Sequence, residues 1–588
     1  MKNGKKIAAV VLCGAVALSA SGCGSQETKT GSAAEKYSMW IYNGTDASYY
    51  TDYSDNPVLQ YAFSKTWGSE EKSVDIEFWV PPSGTETDNY NTMMTSGDYP
   101  DILDGSISDS PKTMYEDGII LDLTEYVEQY MPNYKAFLDE HSEVKANATV
   151  NIDGEDKILA IRAAYEDYPY YFNGYEYRRD WIVKYGENPE TGEAFTGGFT
   201  DENDPDSWED DVVFPSGGTD PVYISDWEWM FDIFKKAQED LGIDDSYCIS
   251  MYYPGFTWSG GLCSCFGGGV PVWYADENNQ VQFGGDSDYF RAYLECLNAW
   301  YENGWLDSAF NERTSDIFYS IDDTSVRQGK VGMWVGIESE LGGRLDMDDE
   351  YTDGICVYGC AYPINDVYGT EECKNVEPTC VTTTSLTYTP YYFTSAMKDK
   401  DIETICSFID YFYGEEGSVM YSLGLNKEQV DEIDCQLYRD WGLEDGAYTV
   451  GEDGRYVRSD VIVNDSGNLK DASRLCKFPG LCQVSKINEG YAESYERSLD
   501  SWIQYKNEGF FQGSPVTTNM TNEDASMADS LRTKIIEYMS IHAVEFIKGE
   551  KEPTDDKAWA DWCTMLSKYN YQKASDIYQP YLDSYSFK

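Results

Sequence analysis

Apolar residues along the chain recur at two spacings, every second position and every third or fourth position. The segments "KYSMWIYNGTD" and "SVDIEFWVPP" alternate apolar and polar residues, which predicts two strands, the first from Tyr37 to Tyr42. Between them, Asn56-Pro57 marks a helix start and Gly68 marks its end. Strand and helix signals alternate in this way as far as about residue 425, and the pattern predicts an α/β fold with two sheets.

Further segments extend this assignment. The segment "NYNTMMTSGDYPDILDG" predicts a helix end, a turn and a buried strand from Asp101. Turn residues between alternating apolar positions predict hairpins at "NIDGEDKILAI", "YADENNQVQFG" and "VGEDGRYVRSD". Two acidic, turn-rich stretches, 200–221 and 368–380, predict long loops, and the chain is helical in pattern from Asn522 to its end.

The first residues have the pattern of an export signal. Three lysines precede an apolar run from Ile7 to Ala20, which is about 14 residues and short of the roughly 20 that span a membrane. Ala20-Ser21-Gly22 then leads directly to Cys23, which resembles a bacterial lipobox. This resemblance implies a signal peptide over 1–22, a palmitate-bearing lipid anchor at Cys23 and a flexible tether over 23–36. A plain secretory signal with an incidental cysteine is the alternative.

The charge restricts the possible partners. The 588 residues carry 105 acidic and 43 basic side chains, a formal net charge of −62. Such a chain repels nucleic acid and anionic lipid, so neither is an expected partner. No second apolar run approaches membrane-spanning length, so the lipid alone is expected to hold the body to the membrane.

The cysteines and acids do not form an evident metal site. Apart from Cys13 and Cys23 there are thirteen cysteines, without a CxxC pair and with only two histidines in the chain, which disfavours zinc. Their disulfide state stays open. The segments 201–206 and 464–471 cluster oxygen ligands without the spacing of an EF-hand loop. No cofactor is expected, and structural calcium is the alternative.

Several segments together resemble the sugar-binding lipoproteins of ABC importers, in particular the larger LplA-like Gram-positive members. They are "TSGDYPDILDG", "YEYRRDWIVKYG", "LNAWYENGWLDSAF" followed by "RQGKVGMWVG", and the tail "IKGEKEPTDDKAWADW". The resemblance implies a periplasmic-binding-protein-like fold, in which two α/β lobes joined by a hinge enclose a ligand cleft. It also implies a monomer on the outer face of the membrane that delivers an oligosaccharide to an ABC permease without catalysis. The lobes are expected over 37–160 with 361–425, and over 161–360 with 426–588.

The same resemblance suggests which residues contact the ligand. "MWIYNGTD", "GFTWSGGLCSCFGGGVPVW" and "GMWVG" resemble segments of the maltodextrin-binding members, which implies polar contacts from Asn43 and Asp46 and stacking by Trp258 and Trp334. Aromatic residues make up 15% of the chain, and their flat apolar faces with polar tips suit sugar rings.

Position along the chain adds three more candidates and one structural pair. Asp104 ends a predicted strand, Tyr171 lies near the crossover between the lobes, and Trp79 precedes two prolines. Each has an alternative role in a turn or the core. Arg178 and Asp180 are expected to form a structural ion pair near the hinge.

Two other functions remain open. A binding protein for a peptide or another polar solute would have a similar tyrosine-rich cleft. A surface-anchored polysaccharide hydrolase would need two carboxylates at a set separation, and 105 acidic residues neither identify nor exclude such a pair. No Gly-x-Ser-x-Gly motif occurs, so an esterase triad has no support.

Overall fold

The computed structural model describes residues 34–42, 48–166, 173–195, 212–251, 261–267, 269–276, 278–312, 325–326, 328–337, 355–378, 386–465, 468–488, 500–502, 515–518 and 520–584. The strands within these ranges are β1 (Glu35–Trp40), β2 (Val74–Trp79), β3 (Ile102–Asp104), β4 (Thr149–Ile152), β5 (Glu155–Ile158), β6 (Ile161–Tyr165), β7 (Asn173–Arg178), β8 (Tyr247–Ile249), β9 (Trp273–Ala275), β10 (Val281–Phe283), β11 (Val331–Ile337), β12 (Val357–Cys360), β13 (Thr387–Phe393), β14 (Tyr448–Val450), β15 (Tyr456–Arg458), β16 (Leu481–Cys482) and β17 (Ile487–Asn488).

The helices within the same ranges are α1 (Pro57–Phe63), α2 (Glu86–Ser96), α3 (Pro111–Glu116), α4 (Thr124–Tyr130), α5 (Pro132–Glu140), α6 (Ser142–Ala148), α7 (Arg179–Tyr185), α8 (Ile224–Leu241), α9 (Gly261–Ser264), α10 (Asp288–Glu302), α11 (Ile402–Tyr411), α12 (Glu415–Leu423), α13 (Lys427–Glu432), α14 (Gln436–Asp440), α15 (Asp460–Val463), α16 (Leu469–Ser473), α17 (Pro515–Thr518), α18 (Asn522–Ile547), α19 (Asp556–Lys568) and α20 (Tyr571–Asp583).

Two sheets organise the molecule. The first sheet has six strands in the order β16-β6-β13-β3-β1-β2, and the second has four in the order β12-β7-β11-β8. β13 runs antiparallel to both of its neighbours in the first sheet, and β7 does so in the second. The other pairs in the two sheets are parallel. Helices connect the parallel strands, so the α/β class expected from the sequence is confirmed.

Local sequence signals account for many element boundaries. The side chain of Asn56 accepts hydrogen bonds from the backbone N–H groups of Val58 and Leu59, and Pro57 occupies the first turn of α1. The three predicted hairpins form as antiparallel pairs, β4 with β5, β9 with β10 and β14 with β15. The predicted helical tail forms α18, α19 and α20.

The first sheet is covered on both faces. Successive side chains along a strand point to opposite faces, so Tyr391 and Phe393 pack in a large apolar cluster on one face. Trp40 and Tyr392 pack in a smaller cluster on the other. We call these face A and face B, respectively. The second sheet packs against its own cluster, which also includes Phe546 in α18.

The two large clusters show which segments pack with which sheet. β6 pairs within the first sheet, and Tyr438 and Leu443 are buried in its face A cluster, although the sequence placed 161–360 and 426–588 in the other lobe. Helices α18 to α20 pack in the cluster of the second sheet. The exact lobe boundaries stay a prediction.

The cysteines of the described residues are free thiols. These ranges contain twelve cysteines, of which ten are buried in the apolar interior, while Cys476 and Cys563 are half-buried. Burial raises the pKa of the Cys248 thiol to about 12, which keeps it protonated and unreactive. These thiols therefore act as small core residues, whereas Cys23 lies outside the described residues.

No helix in the described part of the chain is both long and apolar enough to cross a membrane. The predicted signal peptide over 1–22 lies outside this part.

Candidate ligand cleft

The topology brings particular edges of the two sheets together. The chain leaves the first sheet at the carboxyl end of β6 and enters the second at the amino end of β7. It returns from the carboxyl end of β12 to the amino end of β13. Because β7 and β13 run antiparallel to their neighbours, both passages join the carboxyl edges of the parallel strands. Ligands of open α/β sheets bind outside these edges, so the candidate cleft lies between them.

Two tyrosines lie at this edge of the first sheet. Tyr165 ends β6 and Tyr388 lies near the start of β13, and their ring centroids are 5.0 Å apart at 46°. The Tyr388 hydroxyl lies 2.7 Å from that of Tyr421, which in turn donates to the Phe478 carbonyl oxygen at 3.0 Å. Burial raises the pKa of Tyr388 well above its ordinary value. Both rings are half-buried, and they form a neutral aromatic surface with a fixed orientation.

Asp104 ends β3 at the same edge, as the sequence predicts, but its oxygens are already engaged. One oxygen accepts hydrogen bonds from the Ser106 N–H at 2.9 Å and the Ser106 hydroxyl at 2.6 Å, and the other accepts from the Tyr42 N–H at 3.2 Å. Burial raises the pKa of this carboxyl group, while these hydrogen bonds and the charge of Lys477 act in the opposite direction. In this structure Asp104 therefore anchors the turn, and its contact with a ligand stays a prediction.

Trp334 lies within β11 of the second sheet and not at its end. It is 1% exposed, and it is paired across the strands with Glu176 of β7. Stacking on a ligand would need this indole to become accessible when the lobes open. Its role as a stacking residue stays a prediction.

Trp79 ends β2 and is half-buried beside the face B cluster. It lines a depression of about 340 Å³ together with Trp40, whose indole N–H donates to Asn89 at 2.7 Å. Trp79 therefore lies at the β2 end of the sheet, beside the face B cluster and away from the Tyr165–Tyr388 pair. Its contact with a ligand also stays a prediction. The other candidates, Trp258, Asn43, Asp46 and Tyr171, lie outside the described residues.

The expected ion pair near the hinge is present. Arg178 donates to both oxygens of Asp180, from Nε at 2.8 Å and from Nη2 at 2.7 Å, and both side chains are buried. Asp180 also accepts the Cys356 N–H at 3.2 Å, which ties the ion pair to β12. The pair is therefore saturated within the protein and structural in role.

Sequence reasoning missed several groups at the candidate cleft. Tyr165 and Tyr388 are among them, as is Gln483, which directly follows β16 and is buried. The Gln483 amide nitrogen donates to Ser418 at 2.9 Å, while its amide oxygen has no hydrogen-bond partner among the described residues. The one available signal was the position of each residue at a strand end, which is weak without knowledge of the sheet order.

Trp502, further along the chain, packs against β7 of the second sheet. Trp502 donates its indole N–H to the Tyr175 carbonyl oxygen at 3.0 Å and packs directly on Gly174. A Cβ atom at Gly174 would approach the Trp502 ring to 2.4 Å, so only glycine fits there. Tyr362, beyond β12, contacts Tyr175 edge-on with centroids 5.3 Å apart. Aromatic residues therefore flank the crossovers on this side as well.

Within the described residues, no group of three or more His, Cys, Asp or Glu side chains is arranged to hold a metal ion. Of the two acidic segments, 201–206 lies outside these residues. In the other segment, Asp465 accepts hydrogen bonds from the Tyr49 hydroxyl at 3.0 Å and the Leu469 N–H at 3.1 Å. Structural calcium stays a prediction.

Comparison with known proteins yields structural likeness only. No protein-family description matches the chain, and no curated protein matches it. An HMO-binding, ABC-transporter-associated solute-binding protein from Bifidobacterium longum infantis is similar in structure, with a TM-score of 0.63, 14% identity and coverage of 94% of this chain and 99% of that one. The alginate-binding protein AlgQ2 gives 0.59 and 16%, covering 93% and 98%.

A third similar structure is the S. pneumoniae ABC-transporter substrate-binding protein FusA in complex with kestose. Its TM-score is 0.57 at 17% identity, with 94% of this chain and 99% of that chain covered. Likeness over nearly the whole length confirms the expected fold, in which two α/β lobes of the periplasmic-binding-protein type flank a cleft. The identities are too low to transfer a ligand.

Proposed function

We propose that this protein is a lipid-anchored solute-binding protein that captures an oligosaccharide for an ABC importer. The observation that carries the proposal is that both crossovers join the carboxyl edges of the two sheets, with the Tyr165–Tyr388 pair at the edge of the first sheet. The similar structures support it, since they include proteins described as binding alginate, kestose and HMO. A hinge between the lobes allows the cleft to close on the ligand.

The expected contacts combine flat rings and polar groups. A sugar ring presents an apolar face, which Trp258, Trp334 or Tyr388 stacks against, and hydroxyl groups, which carboxylates and amides bind. Asn43, Asp46 and Asp104 are the proposed polar contacts, and Tyr171 and Trp79 are further aromatic candidates. Such binding needs no nucleophile and no metal.

A ligand screen tests the function. The purified protein is heated with xylo-, manno-, malto- and fructo-oligosaccharides, and the sugars are then separated by chromatography. We expect one class to raise the melting temperature without a new product. Cleaved sugar would show a hydrolase instead, and a response to peptides alone would show a peptide-binding protein. Repeating the screen with EDTA tests for structural calcium.

A labelling experiment tests the anchor separately. Cells that express the full chain are grown with labelled palmitate and then fractionated. We expect label in the intact protein at the outer face of the membrane, and release of the unlabelled Cys23→Ala variant into the medium. Equal membrane retention of this variant would contradict the anchor and leave the ligand proposal unaffected.

A further inference from the structure

The two halves of the molecule also touch away from the crossovers. The first half is the first sheet with the helices packed on it, and the second half is the second sheet with its cluster, which includes α18. The side-chain oxygen of Asn522, at the start of α18, accepts the Ser110 N–H at 3.1 Å, and its amide nitrogen donates to Asp109 at 3.4 Å. Asp109 and Ser110 lie between β3 and α3. These two hydrogen bonds therefore join the halves.

Asn522 projects from a fixed support in the second half. The Thr521 hydroxyl caps α18 by accepting the Asp524 N–H at 3.2 Å. The Tyr581 hydroxyl of α20 accepts the Thr521 N–H at 3.3 Å and donates to Asp524 at 2.6 Å. The start of α18 is thus tied to α20, so Asn522 moves together with the second half.

The partners of Asn522 in the first half are fixed as well. Tyr90 is buried in the face B cluster. Its hydroxyl accepts the Asp109 N–H at 2.9 Å and donates to an Asp109 carboxylate oxygen at 3.2 Å. Ser110 follows as the N-cap residue of α3. Because both supports are fixed, a movement that separates the halves at this point breaks both hydrogen bonds of Asn522 together.

The contact carries a cost as well as a gain. The Ser110 hydroxyl is buried without a partner among the described residues, and it makes no capping hydrogen bond to α3. A buried hydroxyl without a partner is unfavourable, and separation of the halves would give it access to water. Asn522 and Asp109 are exposed, so water competes for the hydrogen bonds that they make. Gain and cost therefore oppose each other, and the joined arrangement seen here is only weakly favoured.

Two openings flank the contact, and both halves line each of them. One is a cavity of about 750 Å³ that continues the candidate cleft, since Tyr388 lines it together with Ser110 and Asn522. The other is a groove of about 1000 Å³ between Leu138 of α5 and Tyr581 of α20. Residues of α6 line both openings. The contact between them is therefore narrow, and halves that meet over a narrow, polar surface are expected to move relative to each other.

We propose that Asn522 is a positioning residue that sets how readily the cleft closes, through a latch formed by Asn522 with Asp109 and Ser110. The inference rests on the proposed function, because it concerns closure of the same cleft. An oligosaccharide that prefers the joined arrangement shifts the protein toward it. The apparent affinity falls in proportion to the fraction of ligand-free protein that is joined. The latch thus sets the affinity through the closure equilibrium.

Ligand-free protein tests the latch directly. Hydrogen exchange of the full chain, followed by mass spectrometry, reports the protection factor of the N–H of residue 110, and small-angle X-ray scattering reports the radius of gyration. We expect Asn522→Ala to lower the protection factor about threefold to tenfold and to raise the radius of gyration. Ser110→Ala should act in the opposite direction, because it removes the buried hydroxyl and keeps the N–H that donates to Asn522. Glu523→Ala, exposed in the same turn of α18, is the matched control and should change neither quantity.

Calorimetry then relates the latch to binding, with kestose, maltotriose, xylotriose and mannotriose as probes. For each probe that binds, Asn522→Ala should weaken the affinity about threefold to tenfold, and Ser110→Ala should strengthen it. If none of the four binds, the proposed function loses support, whereas the ligand-free measurements still decide whether the latch exists.

Three results would overturn the latch. The first is an unchanged protection factor and radius of gyration in both variants. The second is a shift of both variants in the same direction, which would mean that the substitutions act on the packing of α3 or α18. The third is weaker sugar binding by Asn522→Ala with unchanged ligand-free measurements, which would make Asn522 a direct ligand contact instead.

Discussion

Two buried arginines, one in each half of the molecule, have different surroundings. The second sheet buries Arg178 together with Asp180, and each is satisfied by the other within 2.8 Å. Arg162, in β6 of the first sheet, is buried without a carboxylate partner among the described residues. Asp410, in α11 beside this sheet, is buried without a cationic partner in the same part of the chain. The difference teaches that a saturated buried pair is costly to break, because removing one partner leaves the other charge uncompensated, whereas Arg162 has no such carboxylate to lose among the described residues.

Asp410 shows how the first half compensates without a counter-charge. Its oxygens accept the N–H groups of Tyr134 at 2.8 Å and Asn133 at 3.2 Å, and the Asn133 amide at 2.9 Å. These donors lie at the amino end of α5, where the helix dipole favours a negative charge. Burial nevertheless raises the pKa of Asp410 to about 6.

The largest expected effect comes from breaking the internal pair. Asp180→Ala leaves Arg178 buried without a carboxylate and should lower the free energy of unfolding by about 3–5 kcal/mol in urea titration. Asp453→Ala is the control, because its pair with Arg455 is exposed and should matter little. Equal losses in the two variants would mean that burial of the pair is not what matters.

The next effect concerns pH. The folded state holds the Asp410 proton more tightly than the unfolded chain, where an aspartate titrates near 4. Its contribution to the free energy of unfolding therefore falls, by about 1–3 kcal/mol, as the pH rises from about 4 to about 6. Asp410→Asn removes this contribution. The measurement is the difference between wild type and variant in urea titrations over that range, and a constant difference would contradict the raised pKa.

Ligand binding tests whether the halves also differ in recognition. Trp334→Ala in the second half and Tyr388→Ala in the first are each expected to weaken oligosaccharide binding at least tenfold, about 1.4 kcal/mol, and the same is expected of Trp258→Ala. Trp559→Ala, a buried tryptophan of the C-terminal helices, controls for lost packing. Unchanged affinity in all three variants, measured by calorimetry on folded protein, would mean that the cleft lies elsewhere.

The smallest effect on stability is expected at Arg162 itself. Arg162→Met removes a buried charge that has no anionic partner among the described residues and keeps most of the side-chain volume. The free energy of unfolding should change by less than about 1 kcal/mol or rise, in contrast to Asp180→Ala. A loss as large as that of Asp180→Ala would show that Arg162 is a structural residue like Arg178.

Local patterns in the sequence determined most elements of the fold. Strand alternation, the Asn56 cap, the three hairpins and the helical tail depend on residues within a few positions of each other, so their spacing along the chain suffices. The order of motifs also led to the correct two-lobed fold. The Arg178–Asp180 pair was predictable for the same reason, since only one residue lies between the partners.

Only the tertiary structure decided where the segments pack and which side chains meet. Tyr438 and Leu443 pack in the cluster on face A of the first sheet. Tyr165 and Tyr388 meet across 223 positions, and Asn522 reaches Ser110 from a distant helix. Trp334 lies inside its strand and not at the end because the sheet register, which the sequence does not reveal, fixes that position. Whether a buried charge such as Arg162 has a partner depends on the whole set of distant neighbours, and no local pattern records it.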